Sequence, residues 1–221
     1  MSYHIRNARN IVELSAGWDS PCWADVEPIK IEYFRPESSD HRPVVRCKLQ
    51  HDDFGLYGLF QVQDRFVRCV ADHFQDSVCQ DSCVELFIEP PGSQGYFNFE
   101  FSGNGQYLIY HVRDARRTSS GFADYSALTA EEGAKVKVFH TLPDRVEPEL
   151  AEPVTWRLGF FIPFSLIAGR VGITRPVHNQ TWRANLFKCG DQTSHPHWAS
   201  WQLVEELNFH APESFAPVVF D

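Results

Sequence analysis

The chain has 221 residues and a net charge of −9 at neutral pH, and 43% of its residues are hydrophobic, as is usual for a soluble globular protein. Its isoelectric point is near 5.5 and no run of Lys or Arg marks a basic face, which argues against nucleic acid as a partner. No apolar stretch approaches the ~20 residues of a membrane-spanning helix, so we expect no membrane partner either.

Taken in chain order, the hydrophobic residues recur mainly with a period of two, which indicates β-strands. The first predicted strands are 45–50 and 56–63, separated by a loop at Asp52–Gly55. Two further strands follow at 84–89 and 97–102, with Pro90–Gly92 as a loop between them. Later strands are expected at 106–112, 135–142, 154–162 and 181–188.

Turn residues separate these strands. Gly103–Gly105 contains an Asn-Gly pair and predicts a type I′ hairpin turn. Residues 163–169 predict one short helical turn with Pro near its start, whereas 114–133 and 143–153 are expected to be irregular. The sequence therefore predicts an all-β protein, a single antiparallel, jelly-roll-like β-sandwich with little helix, forming one domain over residues 1–221.

Several segments in this order resemble the carbohydrate-binding module family 9-like group. Asp81–Pro90 carries the acidic motif, and the likeness extends over roughly residues 18 to 220. The other matching segments are Tyr96–Glu100, Gly103–Gly105, Trp156, Ile162–Phe164, Trp182–Phe187, Ser200–Trp201 and Asn208–Phe215.

The resemblance implies a β-sandwich related to DOMON domains that binds sugar between two aromatic rings and does not cut it. Such modules usually accompany glycoside hydrolases. Glu85 matches the sugar-bonding acid of the family, and the second ring falls on Phe209. The place of the first ring holds Val78, so a ring introduced there is expected to tighten binding. Glu100 stands where a basic residue is expected.

Strand alternation places Glu85 and Glu89 on the face opposite Val84, Leu86 and Ile88. Asn98 and Glu100 lie on the equivalent face of the next strand, where Arg157, Arg183 or Asn185 could join them in a shallow groove. Carboxylate and amide groups bind sugar hydroxyls, and aromatic rings stack on sugar faces. The candidate ligand-binding residues are Glu85, Asn98, Glu100, Asn185 and Phe209; the alternative is that they are solvated outer residues of a sandwich.

The leading hypothesis is non-catalytic binding of a mono- or oligosaccharide. One rival is a glycoside hydrolase that uses Glu85 and Glu100 as its two carboxyl groups. The other is an interaction module that has lost sugar binding, which Val78 makes credible. Trp198 and Trp201 lie on a loop rich in His and Ser and are the tryptophans most open to a binding role.

Cofactors are not required by this interpretation, although calcium is possible. Asp52, Asp53 and Asp64 are acidic turn residues of the kind that bind calcium, but turns favour Asp in any case. His195 and His197, with Cys189, Asp191 and His210, form a weak zinc pattern that is more simply a polar loop. The N-terminus lacks an apolar signal core, so we expect a cytoplasmic protein with six reduced cysteines, or an extracytoplasmic one if a leader is missing.

Overall fold

The computed structural model describes residues 2–119, 121–173 and 175–221, and within these ranges the chain is built almost entirely of strands. The strands are β1 (Tyr3–Asn7), β2 (Ile29–Ile31), β3 (Tyr33–Phe34), β4 (Val44–His51), β5 (Gly55–Asp64), β6 (Val67–Cys69), β7 (Cys83–Glu89), β8 (Tyr96–Ser102), β9 (Tyr107–Thr118), β10 (Gly121–Ala127), β11 (Lys137–His140), β12 (Val146–Leu150), β13 (Val154–Pro163), β14 (Thr181–Cys189), β15 (Trp198–Ser200) and β16 (Ala216–Phe220). The helices are α1 (Ala130–Gly133) and α2 (Phe164–Val171), with 3₁₀ turns at Val78–Gln80 and Pro212–Ser214.

The strands form two layers that share one strand. The first sheet has the order β10-β9-β8-β7-β14-β16-β1, and the second has the order β1-β4-β5-β13-β11. Strand β1 pairs in parallel with β16 at Tyr3–Ile5 and with β4 at Arg6–Asn7, whereas the other pairs among the described residues are antiparallel. The predicted all-β sandwich with little helix is confirmed, and β1 departs from a purely antiparallel arrangement.

The hydrophobic core lies between the two sheets, as the period-two pattern requires. Leu86 and Phe99 enter it from the first sheet, and Leu158 enters it from the second. Phe101 of the first sheet stacks on Phe160 of the second, with ring centroids 5.1 Å apart. The outer faces of the sheets are thus free to carry other chemistry.

Two segments predicted to be irregular contain strands. Residues 114–133 include the end of β9, all of β10 and helix α1, and residues 143–153 contain β12. Exposed residues dominate β10 and β12, so no hydrophobic alternation marks these strands in the sequence. This correction matters for function, because the β9–β10 hairpin forms one wall of the cavity described below.

The hairpin at Gly103–Gly105 forms as predicted, but its turn type differs. Gly105 has a φ of 85°, whereas Asn104 does not adopt a left-handed backbone, and a type I′ turn needs two such residues. The Gly105 N–H donates to the Ser102 carbonyl at 2.8 Å and closes the turn. Helix α2 begins after Pro163, as expected.

Two further findings concern cysteines and helices. The six cysteines are free thiols, which agrees with the expected reduced state. In the described part of the chain, no helix has both the length and the apolar character needed to cross a membrane.

Candidate functional site

Two acidic residues face each other on the outer side of the first sheet. The antiparallel register of β7 and β8 pairs Glu85 directly with Glu100. Because side chains alternate along a strand, the flanking Val84 and Leu86 enter the core while the two glutamates point outward. Both are nevertheless buried, since Glu85 is 2% exposed and Glu100 is 7% exposed. Other parts of the chain must therefore cover this face.

Residues 202–215, here called the strap, cover part of it. Phe209 of the strap stacks on Phe187 of β14, with centroids 4.2 Å apart and planes 16° apart. The Asn185 side chain donates to the carbonyl of Gln202 and to the hydroxyl of Ser214, each at 3.1 Å. These contacts hold both ends of the strap to β14.

Three other segments complete the enclosure: the β9–β10 hairpin, the turn around Val78–Gln80, and the loop between β14 and β15. Together with the strap they surround a cavity of about 420 Å³, a size usual for small-molecule sites. The residues that line it are Ser77, Cys79, Glu85, Glu100, Leu108, Tyr110, Arg117, Phe122, Cys189, Asp191, Trp198, Leu207, Asn208, Phe209 and His210.

Burial and mutual repulsion change the acidity of the cavity floor. Burial raises the pKa of Glu85 well above its usual range, and the nearby Glu100 raises it further. Burial also raises the pKa of Glu100 to about 7, against a hydrogen bond of 2.6 Å that Asn98 donates to its carboxyl group. The pair therefore holds at least one proton near neutral pH, and it can both donate and accept hydrogen bonds.

Aromatic rings stand around this polar floor. The Trp198 indole N–H donates to Asp191 at 2.8 Å, which fixes the ring beside the cavity. Tyr110 and Phe122 enter from the β9–β10 hairpin, and Phe209 enters from the strap. Carboxyl groups flanked by rings are the combination that a polyhydroxylated ligand with apolar C–H faces requires.

The structure brings together three of the five predicted site residues. Glu85, Glu100 and Phe209 line the cavity, and Asn98 lies beneath it as a hydrogen-bond partner of Glu100. Asn185 does not reach the cavity, because its amide is used to anchor the strap. The interpretation of these residues as solvated outer side chains is wrong for Glu85, Asn98, Glu100 and Asn185, which are buried.

The two arginines suggested for the groove lie elsewhere. Arg157 belongs to the second sheet and donates to the Ala16 carbonyl, while Arg183 forms an ion pair with Glu89 outside the cavity. Arg117, from the hairpin predicted to be irregular, is the arginine that lines the cavity. Sequence reasoning missed it, together with Tyr110 and Phe122.

The position of Val78 has no free space for an aromatic ring. Its side chain is fully buried in a cluster with Ala71, Cys83 and Leu108, and its neighbours Ser77 and Cys79 line the cavity instead. The expectation that a ring at position 78 would complete the site therefore conflicts with the packing. Trp198 supplies a ring at the cavity, whereas Trp201 packs against Tyr3 and the core.

Potential metal ligands cluster at three places among the described residues: Cys83/Glu85/Cys189, His41/Asp64/His197 and Asp72/His73/Asp76. In each cluster, side chains already form hydrogen bonds or ion pairs with one another. In the first, burial raises the pKa of the Cys83 thiol to about 12, and the Cys189 thiol lies 3.1 Å from Glu85. In the second, the Lys188 ammonium group donates to His197 at 2.8 Å and supplies the positive charge that a metal ion would otherwise bring.

The metal residues predicted from sequence are not gathered into one site. His195 stacks on Phe66, and His197 is buried beside Lys188. The Asp52 carboxylate accepts hydrogen bonds within its own turn, from Phe54, Gly55 and Tyr57. Asp53 follows it in that turn, while Asp64 lies at the other end of β5 and bonds to Trp156. Local hydrogen bonds thus account for Asp52, whereas Asp64 bonds to side chains distant in the sequence and lies far from Asp52 along β5.

Comparison with known proteins gives a family match over most of the chain. The sequence pattern of carbohydrate-binding family 9 matches residues 23–220. No curated protein matches the chain.

Solved structures share the fold over the full length of the chain. A candidate carbohydrate-binding protein from Bacteroides uniformis superposes with a TM-score of 0.84 at 24% identity, covering 100% of this chain and 99% of that one. A family 9 module from Caldicellulosiruptor kristjanssonii, solved with glucose, has a TM-score of 0.60 at 14% identity and covers 100% and 96% of the two chains. The same module solved with cellotriose gives the same TM-score and identity, with 93% of that chain covered.

Proposed function

Because the chain belongs to carbohydrate-binding family 9, we propose that it binds a saccharide without cleaving it and that the cavity above Glu85 and Glu100 is the binding site. The observation that carries this proposal is the paired, buried carboxyl groups on an outer sheet face, enclosed by rings. Cys189 and Asn98 each donate one hydrogen bond to this pair. A carboxyl group can form more than one, so sugar hydroxyls in the cavity would add further bonds.

The arrangement favours binding over hydrolysis. Glycoside cleavage places two carboxyl groups on either side of the scissile bond, about 5–10 Å apart. Glu85 and Glu100 are direct neighbours on adjacent strands and lie side by side on the cavity floor, so they do not stand on opposite sides of a bound sugar. They are suited to hold adjacent hydroxyls of one sugar ring.

The volume limits the size of the ligand. A cavity of about 420 Å³ accommodates one or two sugar rings, and longer oligosaccharides would extend past its mouth. We expect weak binding, with dissociation constants near 1 mM, worth about 4 kcal/mol.

Titration calorimetry with glucose, xylose, cellobiose, xylobiose and cellotriose tests the proposal. Glu85→Leu removes the two carboxyl oxygens of Glu85 from the cavity floor. It should abolish binding of whichever sugar binds the native protein. Glu89→Leu is the matched control, since Glu89 lies on the same strand but pairs with Arg183 outside the cavity. Binding that survives Glu85→Leu would place the site elsewhere.

The same samples distinguish the rival functions. Release of product from aryl glycosides, lost in Glu100→Gln, would make the protein a hydrolase. An absence of heat with each of these sugars would favour an interaction module.

A further inference from the structure

Among the described residues, no cationic side chain forms an ion pair or hydrogen bond with the carboxyl groups of the cavity. A thiol, that of Cys189, is the hydrogen-bond partner of Glu85. An amide, that of Asn98, bonds to Glu100, and the Trp198 indole bonds to Asp191 at the cavity mouth. The ion pairs of the described residues are formed by other acids.

The basic groups nearby, Arg117 and Lys188, lower these pKa values through space, but among the described residues neither forms an ion pair with the three acids. Arg117 lies over the ring of Phe122, with its guanidinium carbon 4.1 Å from the ring centroid, rather than bonding to Glu100. Burial lowers the pKa of His210 to about 3, so His210 is neutral. Lys188 precedes Cys189 on β14, but its amine bonds to the Cys189 carbonyl and to His197.

The cavity thus holds two buried acids, Glu85 and Glu100, and a third, Asp191, at its exposed mouth. Desolvation raises the pKa of all three, and the glutamate pair keeps a proton in place of a bonded cation. A bound cation would take the place of that proton. An ammonium group has three donors and one positive charge, so it would satisfy several of these oxygens and remove their repulsion.

We infer that the site selects saccharides that carry a protonated amine, that is, amino sugars and their oligomers. This inference rests on the proposed function. The amine would sit at the glutamate floor, within reach of Glu85 and Glu100. The sugar ring would then pack against Trp198 and Phe209 at the walls. Rings beside a buried cation add cation–π attraction, as Arg117 and Phe122 already show at the rim.

Calorimetry with three sugars of similar shape tests this inference: D-glucosamine, N-acetylglucosamine and glucose. The titrations are run at neutral pH with a chelator present, so that a metal on the Cys83 and Cys189 thiols does not contribute. Glucosamine should bind at least about tenfold more tightly than the two uncharged sugars. That advantage should shrink at high ionic strength, because it is electrostatic.

Variants locate the effect. Glu100→Gln and Asp191→Asn keep the shape of the cavity and remove one acid each, and each should reduce the preference for glucosamine by about fivefold or more. Glu206→Gln removes the same charge from an exposed strap residue outside the cavity and should leave the preference unchanged. Two acid variants are used so that one misfolded protein does not stop the test.

The outcomes separate the two proposals. Equal binding of glucose and glucosamine would overturn the inference and leave the saccharide site in place. A preference for glucosamine that persists in both acid variants would also overturn it. If none of the three sugars, nor cellotriose, binds, the proposed function fails as well.

Discussion

The indole N–H of Trp198 donates a hydrogen bond of 2.8 Å to a carboxylate oxygen of Asp191, and this bond fixes an aromatic ring at the cavity. Stacking on that ring would remove roughly 40–80 Å² of apolar sugar surface from water, worth about 1–2 kcal/mol. We predict that Trp198→Ala lowers affinity for the bound saccharide by about 5- to 30-fold, measured by calorimetry. Trp201→Ala is the control, because Trp201 packs against Tyr3 and the core. It should alter stability but not the affinity of the folded protein.

A ring at position 78 should harm the protein rather than improve it. Val78 is fully buried among Ala71, Cys83 and Leu108, so Val78→Trp overpacks the cluster and should cost about 1–3 kcal/mol in the free energy of unfolding. Urea denaturation measures that loss, and calorimetry should show no gain in affinity. Ser77→Trp, at an exposed residue that lines the cavity, is the comparison and should fold normally. Tighter binding by folded Val78→Trp would contradict this prediction.

The floor of the site was predictable from local sequence, whereas its walls were not. Alternation along β7 and β8 is enough to place Glu85 and Glu100 on one outer face, because side-chain direction follows from the period of a strand. The cover over them depends on contacts between distant segments, such as Phe187 with Phe209. Asn185 shows how far local sequence can predict a role. Strand alternation gives the outward direction of its side chain, but it does not reveal that the amide anchors the strap.

The hairpin wall was missed for a different reason. Strand β9 ends and β10 begins in mostly exposed residues, among which Phe122 is the buried exception, so the polar pattern resembles a loop. Hydrophobic alternation specifies the register of a strand where one face is buried, so it gives little guidance in this exposed part of the hairpin. Arg117 and Phe122 therefore gave no sequence signal of their own.

A buried ion pair on the inner side of β14 should be costly to break. Lys188 and Asp64 have fully buried side chains, with the amine 3.8 Å from the carboxylate. Lys188→Met leaves Asp64 without this cation and should cost about 3–5 kcal/mol in the free energy of unfolding, as measured in urea. The double variant with Asp64→Asn should recover part of the loss, because it removes the uncompensated charge. Lys137→Met, at an exposed site, should change stability by less than about 0.5 kcal/mol. Additive losses in the double variant would argue against coupling.

The last prediction concerns the pH dependence of stability at Glu100. Its pKa is about 7 in the folded protein and 4.5 when unperturbed, so the unfolded chain ionises first as pH rises. The folded state binds the additional proton between these two values, and the native protein loses stability as pH rises through that window. Glu100→Gln does not titrate. Relative to native protein it should therefore gain roughly 3 kcal/mol as pH rises from 4.5 to 7, and then stay level.

The measurement for Glu100 is urea denaturation of native protein and variant across this pH range, taken as a difference so that titrating groups distant from Glu100 cancel. Glu132→Gln gives the opposite sign, because the hydrogen bond from Arg170 lowers the pKa of Glu132 to about 2. The native protein should then be the more stable of that pair at neutral pH, with the difference fading as pH falls from 4.5 towards 2. A difference for Glu100→Gln that stays flat between pH 4.5 and 7 would mean that folding does not raise the pKa of Glu100, so that this carboxyl group is ionised at neutral pH without a ligand.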